Sequence, residues 1–197
     1  MTGILVLCTA NVCRSVMAEA LLSAQLAGRG APAVVSSAGM LAEGQPPPAE
    51  VLAVMAARGC DVIGHRSRLV APEGLARADL VLGMAREHVR HATVLLPDIW
   101  PRAFTLRELV SRGHAAGARV PGEQVGEWLV RVARGRSRRD LLGSGTAHDV
   151  ADPVGGPLRG YEVTADLLDR LTSDLAALCW PSGRLGDWSR TAPASSR

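Results

Sequence analysis

The sequence predicts an α/β fold on a mainly parallel sheet, and three observations carry that expectation. Short apolar runs with strand character alternate along the chain with segments whose apolar residues recur at helical spacing. The first run, Gly3 to Cys8, is apolar without interruption, as expected of a strand buried on both faces. Strands that alternate with helices imply right-handed crossovers and therefore parallel neighbours.

Taken in order, the strand at Gly3–Cys8 leads into a helix from Arg14 to about Gly28, with Val16, Met17, Ala20, Leu21 and Leu26 at helical spacing. Gly28 and Gly30 stop it. Val34 to Ser37 reads as a second strand ending at Gly39. Pro46-Pro47-Pro48 introduces a helix from Ala49 to Arg58, closed by Gly59. Ala78 to Met84 reads as a third, buried strand, and Thr93 to Leu96 as a weaker fourth. Residues 102–148 fit the alternation less well and are expected to form an insertion. Within them, Phe104–Ser111 and Glu123–Arg134 suit short helices, and five arginines fall between Arg131 and Arg139. Leu158 to Cys179 predicts a final helix, with Leu167, Leu168, Leu171, Leu175 and Leu178 as its stripe. Residues 181–197, rich in Ser, Gly, Pro and Arg, suit a disordered tail.

At 197 residues, with 47% apolar content, residues 1–180 are expected to form a single domain. Aromatics are only 3%, so Ala, Val and Leu must fill most of the core. The net charge of +3 resides wholly on arginine, since the chain has no lysine; it tolerates an anionic substrate without arguing for nucleic-acid binding. No apolar run approaches the roughly 18–20 residues of a membrane span, and the N-terminus has no basic leader. Four cysteines in a chain of this length do not make a disulfide scaffold, so a reducing cytoplasm is the expected compartment.

The chemistry concentrates in Cys8-Thr9-Ala10-Asn11-Val12-Cys13-Arg14-Ser15, which joins the first strand to the first helix. A loop entering a helix can turn several backbone N–H groups inward and cradle a dianion. Arg14 can grip two phosphate oxygens with its planar fork. A thiol at Cys8 faces this positive field, which favours the nucleophilic thiolate. Ser15 can donate to the sulfur, and Asn11 suits a left-handed position in a tight loop.

This loop resembles the N-terminal signature of the low-molecular-weight protein tyrosine phosphatases. The likeness continues through Ser36-Ser37-Ala38-Gly39, Gly64-His65-Arg66-Ser67-Arg68, Ala78 to Met84, and Asp152-Pro153, covering roughly residues 3–104 and 149–178 in family order. The resemblance implies a three-layer fold, a four-stranded parallel sheet flanked by helices. It also implies a reaction without metal or other cofactor, through a phosphocysteine on Cys8. On it, residues 9–15 bind phosphate, sulfate or a similar oxyanion, and Asn11, Ser15, Ser37 and His65 hold the loop in shape. Asp152 is the general acid and base, with Asp149 its rival. Cys13 is a redox partner able to form a protective disulfide with Cys8. The implied partner is a phosphotyrosine protein, with no nucleic acid and no membrane.

The sequence also departs from the family pattern. Val154-Gly155-Gly156-Pro157, with Tyr161 beyond, replaces the aromatics that follow Asp-Pro in eukaryotic relatives and resembles the bacterial branch that includes protein arginine phosphatases. In that arginine-specific group a Thr stands where this chain has Val12. Without that hydroxyl, an aromatic leaving group is favoured over a guanidinium. Arsenate reductase of the same fold is a further alternative, but between Ala78 and Asp98 there is no cysteine for its disulfide relay. His88 and His91 share a helical face, yet two histidines without a third ligand make a weak metal site.

Overall fold

The computed structural model describes residues 1–41, 43–143 and 145–181; the tail expected at 181–197 lies, beyond residue 181, outside them. Strand β1 (Thr2–Leu7) is central in a sheet of order β2-β1-β3-β4, with β2 at Ala33–Ala38, β3 at Leu80–Gly83 and β4 at Ala103–Thr105. Every pairing is parallel. The chain runs from β1 outward to β2, then returns across β1 to β3. The carboxyl end of β1 is therefore the point where the strand order reverses, which in open α/β sheets is where ligands bind.

The period of two along the strands divides their side chains between two cores. Ile4, Val6, Leu80 and Leu82 face the larger one, shared with α1 (Arg14–Gly28), α2 (Ala49–Ala56), α5 (Leu106–Ala116), α6 (Val125–Val132) and α7 (Leu158–Cys179). Leu5, Leu7 and Val81 face the smaller one, with α3 (Pro72–Arg77) and α4 (Arg86–Leu95). The result is three layers. Helix α7 packs along α1, α2 and α5, so the C-terminal stripe seals the face from which α1 emerges.

Two expectations change. Thr93–Leu96 is not a strand: residues 86–95 form α4, whose buried face carries His88, Val89 and Ala92. The fourth strand is instead Ala103-Phe104-Thr105, fully buried and too short to show a periodicity of its own. Nor is 102–148 a surface addition throughout. Its first part supplies β4 and α5, and Trp128 on α6 is fully buried in the larger core, its indole N–H donating to the Gly117 carbonyl at 3.0 Å. Burial of a large aromatic with its polar atom satisfied marks these helices as core elements.

Candidate active site

Asn11 organises the loop between β1 and α1. Its φ of 55° makes it the only non-glycine in the left-handed region among the described residues, as its side chain tolerates. It is fully buried, and every one of its polar groups is used. The backbone N–H donates to Cys8 Sγ at 3.2 Å, and the backbone carbonyl accepts from His65 Nε2 at 2.8 Å. Oδ1 accepts from the Arg68 N–H at 2.9 Å, which fixes the amide so that Nδ2 donates to Ser15 Oγ (2.9 Å) and Ser37 Oγ (2.7 Å). The Ser37 hydroxyl in turn donates to Glu19 Oε2 at 2.5 Å. Ser15 Oγ lies 3.0 Å from Cys8 Sγ and already accepts from Asn11, so its own hydrogen is available to the sulfur. The chain of donors ends on Cys8.

The loop is braced from outside by the end of β2. Met40 donates to the Thr9 carbonyl at 2.7 Å, and Gly39 pairs with Arg68 and Val70. Gly39 has no room for a side chain: a Cβ there would lie 2.8 Å from both Ala10 C and Asn11 N. Ser37, His65 and the Arg68 N–H thus converge on Asn11.

Arg14 is buried, with NH1 donating to the Val150 carbonyl at 3.1 Å and NH2 to Thr9 Oγ1 at 3.0 Å; NH2 also forms an ion pair with Asp152 Oδ2. Its Nε is buried with no acceptor among the described residues. An orphaned guanidinium N–H beside the inward-facing loop is a donor fitted for an oxyanion. Asp152 is exposed, and its Oδ1 accepts from the Val154 N–H at 3.3 Å, with Pro153 buried behind it. The segment is tied to the end of β3 by Val150 N–H to the Met84 carbonyl, 2.7 Å. Asp149 is used differently: its Oδ1 accepts from the Arg86 N–H at 2.8 Å and so caps the start of α4. Arg14 and Asp152 line a cleft of about 530 Å³ together with Ala85, Arg86 and Arg90. Cys8 is 3% exposed and is not one of its walls.

Cys13, at the N-cap of α1, is a free buried thiol; burial pushes its pKa up strongly, and the Asp152 carboxylate adds to the shift. Tyr161 is buried in the larger core, its hydroxyl accepting from the Gly155 N–H at 3.3 Å, so it stiffens the Gly-Gly turn rather than walling a substrate ring.

Three contributors escaped the sequence reading. His88 is fully buried: Nδ1 accepts from the Ala85 N–H at 2.8 Å, so the proton sits on Nε2, which donates to Thr9 Oγ1 at 3.1 Å. Glu87 Oε1 lies 3.5 Å from the same nitrogen, yet burial dominates and, with the nearby Arg14 charge, lowers the His88 pKa to about 3. Both ring nitrogens are occupied, which leaves none for a metal shared with His91. Thr9 Oγ1 receives two donors and keeps its own hydrogen for a third partner. The others are Glu19, one helical turn beyond Ser15, and the Val150 carbonyl. A side chain that acts through a fold-dependent contact leaves no local pattern to read.

Known proteins match this chain in sequence and fold. The family description "Low molecular weight phosphotyrosine protein phosphatase" fits residues 3–122. A protein-arginine-phosphatase of Geobacillus stearothermophilus is 31% identical over 175 residues, spanning 88% of this chain and 93% of that one. The low molecular weight protein-tyrosine-phosphatase Etp of Escherichia coli K12 is 36% identical over 99 residues, 49% of this chain and 64% of its own. The crystal structure of a low molecular weight protein tyrosine phosphatase from T. tengcongensis superposes with a TM-score of 0.68 at 31% identity, covering 89% of this chain and 97% of that one. Fold, loop and sequence agree: the chain belongs to the low-molecular-weight phosphotyrosine protein phosphatase family and is a phosphatase.

Proposed function

We propose that the chain hydrolyses protein phosphotyrosine through a phosphocysteine on Cys8, in the cytoplasm. The observation that carries this reading is the pair of donors aimed at one sulfur, the Asn11 N–H at 3.2 Å and Ser15 Oγ at 3.0 Å. Hydrogen bonds to the charged form favour a thiolate. The substrate phosphate takes the place of Asp152 on the Arg14 guanidinium, where it also meets the orphaned Nε and the Thr9 hydroxyl. Asp152, released from Arg14, takes up a proton from solvent; the Cys8 thiolate then attacks phosphorus, an S–P bond forms, and the bond to the tyrosine oxygen breaks as Asp152 gives that oxygen its proton. The Asp152 carboxylate then takes a proton from water, whose oxygen displaces the Cys8 thiolate and yields inorganic phosphate. Cys13 is the reversible disulfide partner of an oxidised Cys8; peroxide treatment followed by a thiol reductant should restore activity, and irreversible loss would count against that role.

The test is hydrolysis of an aryl phosphate by wild type and Cys8→Ser, with and without chelator, plus acid quenching to trap a labelled phosphoenzyme. Activity and label that survive chelation and vanish in Cys8→Ser are the expected result; a fully active Cys8→Ser protein would sink the mechanism. A second reading, phosphoarginine as substrate, draws support from the similarity to a protein-arginine-phosphatase over nearly the full chain. Against it stands Val12, partly exposed and without a hydroxyl to orient a guanidinium. The ratio of kcat/KM on matched phosphotyrosine and phosphoarginine peptides decides between them, and tyrosine is expected to win.

A further inference from the structure

Beside the catalytic cleft lies a second cavity of about 590 Å³, and the two share Arg86 and Gly143 as a common wall. Its charged lining is Arg86, Arg112, Arg136 and Arg139 against Glu108 and Asp140, four fixed positive charges to two negative. The carboxylates are already engaged. Glu108 accepts from both Arg112 (3.1 Å) and Arg136 (2.7 Å), and Asp140 Oδ2 accepts from the Ser137 N–H at 2.9 Å. Arg136 is held by Glu108 and by the faces of Trp100 and Phe104, 4.0 and 3.8 Å from the ring centroids. The guanidinium groups of Arg86 and Arg139 have no acceptor among the described residues.

Arg86 is also placed for contact. A Cβ on Gly143 would lie 2.8 Å from its NH1 and one on Gly145 3.3 Å from its NH2, so its fork rests against chain that carries no side chain at either position. A half-buried guanidinium with open donors, at the boundary of a catalytic cleft and a cavity of net positive charge, is a carboxylate receptor in chemical terms.

We propose that this cavity is a subsite for an acidic side chain flanking the phosphorylated residue of the substrate, with Arg86 and Arg139 its recognition groups. The inference rests on the phosphatase reading above: a peptide that seats its phosphorylated side chain against Arg14 runs past Arg86 into the second cavity. Arg86 would thereby select acidic phosphoprotein segments, while Arg136, locked to Glu108 and two aromatic rings, holds the cavity's shape.

The experiment compares kcat/KM on two phosphotyrosyl peptides, one with Asp and Glu flanking the phosphorylated residue and one with Ala and Gln there. The ratio is read within wild type, Arg86→Gln, Arg139→Gln and the double variant, so a change in overall turnover cancels. An acidic preference of about five-fold is expected in wild type, the scale of one or two exposed ion pairs. It should fall to about two-fold or less in the double variant and shrink in high salt. p-Nitrophenyl phosphate has no flanks. If wild type fails on it, the catalytic reading has failed. If wild type cleaves it but shows no acidic preference, or the preference survives both substitutions, the subsite is refuted and the catalytic reading stands.

Discussion

Asp152 and Asp149 stand three residues apart and both line the cleft beside the loop, but they face different partners. Asp152 pairs with Arg14, whereas Asp149 caps α4 through the Arg86 N–H. Asp152→Asn should lower kcat by about 10²–10⁴-fold, the range for a general acid. Because it also removes the anion that competes for the Arg14 guanidinium, inorganic phosphate should inhibit this variant more tightly than wild type. Steady-state rates with phosphate inhibition constants check both effects. An unchanged kcat would transfer the acid elsewhere. Asp149→Ala should instead cost about 1 kcal/mol of stability through the lost cap while the chemistry persists, a result visible as a lowered Tm with activity retained. A variant crippled at Asp149 and intact at Asp152 would reverse the assignment.

At the scale of elements, what could be read from the sequence depended on how locally each piece is specified. The loop at residues 8–15 and its flanking strand and helix are contiguous, so the cysteine, the arginine, the left-handed Asn and the serine beside the sulfur were all visible in one stretch. The long amphipathic α7 was equally plain. Strand β4 was not, because three buried residues give no period, and the apolar run Thr93–Leu96 competed for the same place until Val89 and Ala92 fixed its helical face. His88 was visible only as one of a helical pair, since its contacts with Thr9 and Ala85 exist only after β3 and α4 have been laid beside β1. The meeting of two elements also sets the test at Gly39. There the end of β2 touches the loop so closely that an added methyl group would press on Ala10 and Asn11 backbone atoms. Gly39→Ala should cost about 1–3 kcal/mol through overpacking and reduce kcat/KM by at least about ten-fold, because the displaced atoms include the N–H that donates to Cys8. Stability loss with an unaltered rate would show that the loop is less tightly braced than these contacts imply.

For the whole molecule, the buried neutral His88 links the site to acid stability. In the folded chain its pKa is lowered to about 3, first by burial and then by the Arg14 charge, whereas an unfolded chain titrates near the ordinary value of about 6.5. Between those limits the unfolded state binds the extra proton, so stability from this group rises with pH across the window. It is fully present above about pH 6.5 and is progressively lost as pH falls towards 3. Its limiting slope is about 1.4 kcal/mol per pH unit. Protonation would place a cation beside the Arg14 guanidinium and turn Nδ1 from an acceptor into a donor facing the Ala85 N–H, so both the Arg14 charge and the start of α4 oppose it. His88→Gln removes the titration, and its amide retains a donor and an acceptor of similar reach. Denaturant unfolding between pH 7 and pH 4 should therefore show a shallower stability slope in His88→Gln than in wild type, even if the variant is less stable at neutral pH. Identical slopes in the two proteins would mean that His88 does not carry the acid sensitivity.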